Sequence, residues 1–339
     1  EKTIAELLRP AGYHSGIIGK WHLGAHIPTS HPMKRGFDEF YGHLGGGHVY
    51  FPEKLTIRRS QDAKGESESY RTWLMKNFEP VPPRKYLTDD FSDEAVSFVE
   101  RNRDWPFFLF LSYNAPHTPL EATEKYLNRF NDIQDPKRKT YAAMVSAVDD
   151  GVGRVLKEVR RHGLEEKTII CFLSDNGGPT SKNASRNNPL RGDKGDAWEG
   201  GFRVPFALQW KGRLPQGADY QKPVSALDLG GTVVALSGAE VPEGKPLDGV
   251  NLIPYLTGEN KGAPHEAIYL RQFDHNRFAV RQGNEKILIP WKGGKAQLYD
   301  LGKDLGESTD LADRFPDKVE HLNRLRIQWN RQLREPAFL

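Results

Sequence analysis

A single cysteine, Cys171, rules out any disulfide within the chain. Its neighbours over residues 168–173 are apolar and β-prone, which predicts a buried, inert thiol. A lone cysteine fits a reducing compartment, but exported enzymes also exist without disulfides, so the compartment stays open. No apolar run approaches the roughly 20 residues that a membrane-crossing helix needs, so no membrane span is expected. No export signal is visible, and the front residues Thr3-Ile4-Ala5-Glu6-Leu7-Leu8 read as part of a helix, so that absence says nothing about export. An excess of one charge is lacking too: 48 Lys+Arg against 45 Asp+Glu leave +3. Duplex-binding proteins carry a basic stripe. The nearest approach here, Pro136-Lys137-Arg138-Lys139, precedes an amphipathic run and reads as a solvated helix start, so no nucleic-acid partner is expected.

What is present is a loop-rich globular composition. The 339 residues suffice for two domains and a large core, and 23 Pro and 33 Gly supply many turns. Residues 3–9 read as a helix stopped by Pro10 and Gly12, and residues 13–18 as a short buried strand. Residues 25–84 are irregular, as functional loops are. A helix over 92–101, an apolar strand over 106–112, a long helix over 140–162 capped by Gly163 and a strand over 168–173 follow. This alternation predicts an α/β fold, a mainly parallel sheet sandwiched by helices. Strand 206–210 and helix 224–236 continue it. Beyond residue 262 the texture changes to short strands at 268–272, 278–281, 286–289 and 297–301, then an amphipathic helix over 316–335. The expected domains are therefore residues 1–262 and a small antiparallel-sheet-plus-helix subdomain, residues 263–339.

Ligands of open α/β sheets sit beyond the carboxyl ends of the strands, so polar residues that follow apolar strands are the candidates. Gly19-Lys20-Trp21-His22 offers an ammonium and an imidazole to an anion; two apart on an extended segment, both point one way. Asn114-Ala115-Pro116-His117-Thr118-Pro119 holds a histidine between two stiffening prolines, which suits proton transfer. Ser174-Asp175-Asn176-Gly177-Gly178 puts carboxylate and amide oxygens side by side, as a hard cation prefers. Leu190-Arg191-Gly192-Asp193-Lys194-Gly195 and Glu199-Gly200-Gly201-Phe202-Arg203-Val204-Pro205 form a Gly-rich, cation-bearing loop suited to an anionic group. Each cluster also has a plainer reading, as a turn, a packed histidine or a solvated loop, and taken singly the residues do not choose between the two.

Taken together and in order, these blocks resemble the type I sulfatases of the alkaline-phosphatase-like superfamily. The run from Gly12 to Gly24, with Gly19-Lys20-Trp21-His22 at its heart, is similar to that family's second signature, and Leu298-Tyr299-Asp300-Leu301 and Asp310-Leu311-Ala312 resemble its C-terminal subdomain. The resemblance implies a sulfuric-ester hydrolase that removes sulfate from a sulfated carbohydrate or an aryl ester. It implies Asp175 and Asn176 as ligands of a catalytic Ca²⁺, with Mg²⁺ as the alternative. Lys20 and Lys194 would hold sulfate oxygens, His22 would sit beside the nucleophile, and His117 would lie near the leaving oxygen. A dication and two lysines would offset charge that gathers on the sulfuryl oxygens, and a poor alkoxide leaving group needs a proton. A sulfated sugar or polysaccharide is the implied partner, and a periplasmic or secreted location is implied for the full-length protein.

The family's nucleophile is a formylglycine made from Cys or Ser in C/S-x-P/A-x-R. That motif normally lies upstream of the Gly-Lys-Trp-His block, with two further acidic metal ligands. Cys171 is followed by Phe172-Leu173-Ser174, and Ser30-His31-Pro32-Met33-Lys34 has Lys where the motif has Arg. The formylglycine is thus expected in a segment before Glu1, and these 339 residues alone are expected to be inactive. Asp193 and Asp196 flank Lys194 and are expected to offset part of its field. Two other functions remain compatible with the residues: a phosphomonoesterase or phosphodiesterase of the same superfamily, and a non-catalytic homologue that binds sulfated glycans. The oligomeric state is not readable.

Overall fold

The computed structural model describes residues 2–54 and 72–335. The chain divides into two compact units. The first comprises residues 1–168, 182–184 and 230–248; the second comprises 169–181, 185–229 and 249–339.

In the first unit, Thr3 opens helix α1 (Ile4–Leu8) with a capping box, its hydroxyl accepting from the Glu6 amide while the Glu6 carboxylate accepts from the Thr3 amide. Pro10 and Gly12, at φ +82°, end that segment and turn the chain into strand β1 (His14–Lys20). The strand runs two residues beyond the predicted end, so Lys20 is its last residue. β1 lies between β2 (Glu39–His43) and β5 (Phe107–Ser112), parallel to both. The hairpin β3 (Leu74–Lys76) and β4 (Glu79–Val81) adds antiparallel strands outside β2, giving the order β4-β3-β2-β1-β5. The sheet is therefore mixed, with its parallel character confined to three strands. Among the described residues β5 pairs with β1 alone, and Phe110 is 44% exposed, although its unbroken apolar sequence reads as a central strand.

Helices α2 (Leu87–Asn102) and α4 (Pro136–Arg161) pack together in this unit. The short α3 (Glu124–Leu127) lies between them in sequence. Phe91, Ala95, Phe98 and Val99 recur at helical spacing on α2 and are buried. Phe91, Ala95 and Phe98 join Ile18, Tyr41, Tyr126, Ala143, Met144 and others in one apolar cluster, where each buried Phe stabilises by about 1.5–3 kcal/mol. α4 begins a turn earlier than its apolar spacing predicts, because Asp135 caps it, accepting from the Arg138 amide, and Pro136 suits the first turn.

In the second unit, β6 (Ile170–Leu173) pairs antiparallel with β7 (Phe206–Gln209) in a two-stranded ribbon, rather than standing as the next parallel strand. Cys171 is half-buried on β6, and burial pushes its thiol up to about 11, so it stays protonated and inert. Short helices α5 (Thr180–Asn183), α6 (Glu199–Phe202), α7 (Leu227–Ser237) and α8 (Ile253–Leu256) follow in sequence, α5 and α7 each being divided between the units. β8 (Ile268–Gln272), β9 (Arg277–Gln282), β10 (Glu285–Ile289) and β11 (Gln297–Asp300) form an antiparallel sheet in the order β11-β10-β9-β8. Helix α9 (Pro316–Asn330) packs on this sheet through Leu322 against Val280, Ile287 and Leu298. No helix among the described residues is long and apolar enough to cross a membrane.

Candidate active site

In the first unit the candidate residues hang on backbone hydrogen bonds. Lys20 ends β1 in register with His43, the last residue of β2. The strands approach closely here: Gly19 sits at φ +113°, and a Cβ on it would lie 1.9 Å from the Ser112 carbonyl oxygen. The Trp21 and His22 amides then donate to the carbonyls of His43 (3.0 Å) and Leu44 (3.1 Å). His22 itself adopts φ +54°, so the period-two alternation that would align it with Lys20 does not reach it. Lys20 is half-buried and His22 is exposed.

His43 is fully buried, with Nδ1 3.1 Å from the Gly45 carbonyl oxygen, which assigns the proton to Nδ1 and a lone pair to Nε2. Burial first, then the charges of His48, Lys20 and His22, hold its pKa well below the ordinary histidine value. Lys20, His22, His43 and His48 thus share one electrostatic neighbourhood. The Asn114 amide donates to the His48 carbonyl (3.2 Å), and the Tyr50 hydroxyl donates to the His117 carbonyl (2.8 Å). These bonds fasten the chain after β2 to the loop that carries His117. The His117 Nδ1 lies 2.7 Å from the Thr118 carbonyl oxygen, which leaves Nε2 for other partners. Cis peptides at Ala115–Pro116 and Thr118–Pro119 flank it.

On sequence alone, Tyr41, His43, His48, Tyr50 and Phe51, beside Gly45-Gly46-Gly47, fit either a stacking surface for a sugar or ordinary packing. The structure shows packing. The first four are buried, Phe51 is half-buried under Lys54, and the three glycines are buried as well. Residues 55–71 of that long loop lie outside the described residues.

In the second unit the candidate residues are held by side chains as well as by main-chain bonds. Asp175 is exposed and Asn176 half-buried just past β6. Ser174 Oγ donates to the Asn176 carbonyl, and Asn176 Nδ2 donates to the Gly177 carbonyl (2.9 Å), which turns its Oδ1 away as an acceptor. A carboxylate and an amide oxygen are the donor types that a hard cation takes, so the pair fits a Ca²⁺ or Mg²⁺ ion. The Gly177 amide donates to the Gly201 carbonyl (2.9 Å) in contact so close that a Cβ on Gly177 would sit 1.7 Å from the Gly200 carbonyl oxygen.

Lys194 is exposed on the next loop. Both carboxylates beside it have other partners. Asp193 accepts from Thr180 Oγ1 (2.9 Å), and Asp196 accepts from the Asp193 amide (2.9 Å) and from Arg277 (3.0 Å). Their offset of the Lys194 field is thereby shared with hydrogen-bond donors. Behind this loop, fully buried Lys286 bridges Glu199 (3.0 Å) and Glu307 (2.7 Å), and Arg281 lies 3.3 Å from Glu199. The Glu199 amide donates to Glu307, and Arg191 donates to the Glu307 carbonyl while lying 3.7 Å over the Trp198 ring. Nothing in the sequence pattern singles out Lys286 or Glu307, because a lysine on a short strand reads as surface.

A separate grouping, Glu100, Glu158 and His162, has ligand atoms close enough for a cation. There the Arg161 guanidinium already bridges both carboxylates, at 2.5 and 3.1 Å, so the grouping is an ion-pair cluster.

The family model "Sulfatase" matches residues 1–239. The chain is 32% identical over 302 residues to the uncharacterized sulfatase YdeN of Escherichia coli K12, covering 81% of this chain and 50% of that one. It is 33% identical over 267 residues to human N-acetylgalactosamine-6-sulfatase, covering 76% and 48%. The chain thus spans about half the length of the curated relatives it matches. A crystal structure of Ps i-CgsB in complex with k-i-k-neocarrahexaose superposes with a TM-score of 0.91 at 39% identity, covering 100% of this chain and 76% of that one. PsFucS1 sulfatase from Pseudoalteromonas sp. superposes with a TM-score of 0.81 at 25% identity, covering 97% and 72%. Mixed sheet, strand-end loops and C-terminal antiparallel sheet are those of the alkaline-phosphatase-like fold, and the chain belongs to the sulfatase family.

Proposed function

We propose that this chain carries the sulfate-holding and cation-holding part of a sulfuric-ester hydrolase. The observation that supports the reading most is the loop assembly of the second unit, where the Asp175–Asn176 oxygens and Lys194 lie on segments joined by direct hydrogen bonds. Asp175 and Asn176 would hold Ca²⁺, with Mg²⁺ as the alternative; when bound, the cation offsets negative charge on the sulfuryl oxygens. Lys20 and Lys194 would donate to those oxygens. His22 would lie beside the nucleophile, a formylglycine. His117, its Nδ1–H held by the Thr118 carbonyl, would give the Nε2 proton of its imidazolium form to the leaving oxygen as the S–O bond breaks. Strand-end polar loops of this kind are where open α/β sheets hold their ligands. The proposed boundary of the C-terminal subdomain is residue 263.

For substrate, the reading is a sulfated oligosaccharide of the carrageenan kind. It is supported by the full-chain likeness to Ps i-CgsB, whose structure contains a neocarrahexaose. A periplasmic or secreted location follows from that substrate. Incubation of the full-length protein with carrageenan oligosaccharides and Ca²⁺ should release inorganic sulfate, measured by ion chromatography. Release of phosphate from phosphate esters with no sulfate from any sulfated sugar would overturn the reading in favour of a phosphatase. Tight glycan binding without product would favour a non-catalytic homologue.

A further inference from the structure

Asn187 belongs to none of the motif blocks, yet its side chain bonds to the backbone of two of them. Its Oδ1 accepts from the Gly178 amide (3.0 Å), and its Nδ2 donates to the Gly178 carbonyl (2.8 Å). One side-chain amide thus satisfies both backbone groups of one residue, as a neighbouring strand would. The same Nδ2 also donates to the Gly192 carbonyl (2.9 Å) and approaches Asp193 Oδ1 (3.4 Å). Gly178 stands two residues after Asn176, and Gly192 two before Lys194.

The Asn187 backbone is set independently of these contacts. Its carbonyl accepts from the Leu190 amide (2.9 Å), closing a turn through the Asn188–Pro189 cis peptide. The side chain therefore projects from a fixed turn. The second glycine of the cation loop also has no room to shift towards its neighbour: a Cβ on Gly178 would stand 2.1 Å from Ser185 Oγ. The two loops are also joined by the Gly177 amide to the Gly201 carbonyl and by the Thr180 hydroxyl to both Asp193 carboxylate oxygens. Asn187 bonds to the backbone of both loops through one side chain.

We propose that Asn187 is a positioning residue. It locks the Asp175–Asn176 loop and the Lys194 loop into one register, so that the spacing between the cation ligands and the sulfate-holding ammonium is set by a single planar amide. The proposal rests on the roles given to those residues under Proposed function. It predicts that cation and sulfate bind cooperatively, because ordering one loop orders the other. Asn187→Ala removes every bond. Asn187→Asp keeps the acceptor for the Gly178 amide, loses the donor to Gly178 and Gly192, and brings a second carboxylate towards Asp193.

Two measurements on the full-length protein test this. The first is amide hydrogen exchange. In Asn187→Ala, protection of the Gly178 amide and of residues 192–195 should fall together by ~10-fold or more, with the C-terminal sheet unchanged. In Asn187→Asp, the Gly178 amide should stay protected while 192–195 loosen. The second is calorimetric titration with Ca²⁺ and with inorganic sulfate, each with and without the other. In the wild type each should tighten the other's binding; in Asn187→Ala that mutual effect should fall to within ~2-fold of none, and Asn187→Asp should fall between. Unchanged exchange at both loops, or loosening spread evenly through the second unit, would overturn the proposal. So would retention of the full mutual effect in Asn187→Ala. If the wild type binds neither Ca²⁺ nor sulfate, the roles given to Asp175, Asn176 and Lys194 fail, while the exchange pattern still decides whether Asn187 fastens the two loops.

Discussion

The two units hold their candidate residues by different means. Lys20 and His22 are carried on main-chain ladders: β1 is paired on both sides, and the bonding continues through Trp21 and His22 to β2. Asp175, Asn176 and Lys194 are carried on loops where main-chain bonds such as Gly177 to Gly201 are supplemented by side-chain fastenings: Asn187, Thr180, Arg277 and, behind them, the buried Glu199–Lys286–Glu307 cluster. Main-chain ladders survive side-chain substitution, since every residue except proline supplies the same groups. Side-chain fastenings do not. The second unit should therefore be the more sensitive to point substitution away from the reacting groups.

The strongest way to break that contrast is Lys286→Ala. It leaves Glu199 and Glu307 buried with reduced compensation, and burial already raises the Glu307 carboxyl above its ordinary range. A loss of about 3–5 kcal/mol is expected in denaturant unfolding. A loss below 1 kcal/mol would remove the contrast between the units. The converse test is Lys20→Ala. Because the ladder at this position is main-chain, Tm should stay within a few degrees, while kcat/KM of the full-length enzyme drops by about 10²–10³-fold. A large fall in Tm would show that the first unit also depends on its side chains.

Acid should sharpen the comparison from the other side. Two buried histidines of the first unit, His31 and His43, are held neutral; burial and then Lys34 lower His31 to about 4, and burial and neighbouring charge hold His43 well below its ordinary value. The unfolded chain takes up these protons near pH 6.5, so the stabilisation is complete above that value. It is lost as the pH falls from 6.5 towards 4. A decline of roughly 1–3 kcal/mol across that window is expected, and His31→Phe should flatten part of it. The smallest effect belongs to an ordinary cap: Asp135→Ala should cost about 1 kcal/mol by freeing the Arg138 amide at the start of α4, and should leave Ca²⁺ affinity unchanged.

The α/β character, the C-terminal antiparallel sheet and the longer elements were legible because apolar spacing of two or 3.6 residues reports directly on burial, whereas β2, β3 and β4 lie in the stretch that reads as irregular. A boundary moved where a cap intervened, as at Asp135. Strand neighbours were not legible. Residues 107–112 and 170–173 read alike as buried parallel strands, yet one borders the five-stranded sheet and the other pairs antiparallel with β7. A run of apolar residues specifies that both faces avoid water, but carries no record of which strand lies alongside. The aromatic and histidine residues 41–50 were undecided for a related reason: glycine-rich stretches read as exposed, whereas here Gly45, Gly46 and Gly47 are buried with their neighbours.

The sequence by itself determined the chemistry on offer: which ammonium, imidazole, carboxylate and amide groups follow apolar strands, and in what order. Those are local properties, fixed by residue type and by periodicity along a few turns or strands. Only the tertiary structure decided that His43 and His48 are interior, that Lys286 lies between two buried glutamates, and that the amide of Asn187 joins two loops. The Lys286–Glu199 pair is 87 positions apart, and the Asn187 bonds, though only five to nine positions apart, arise in a turn with no periodic pattern to announce them.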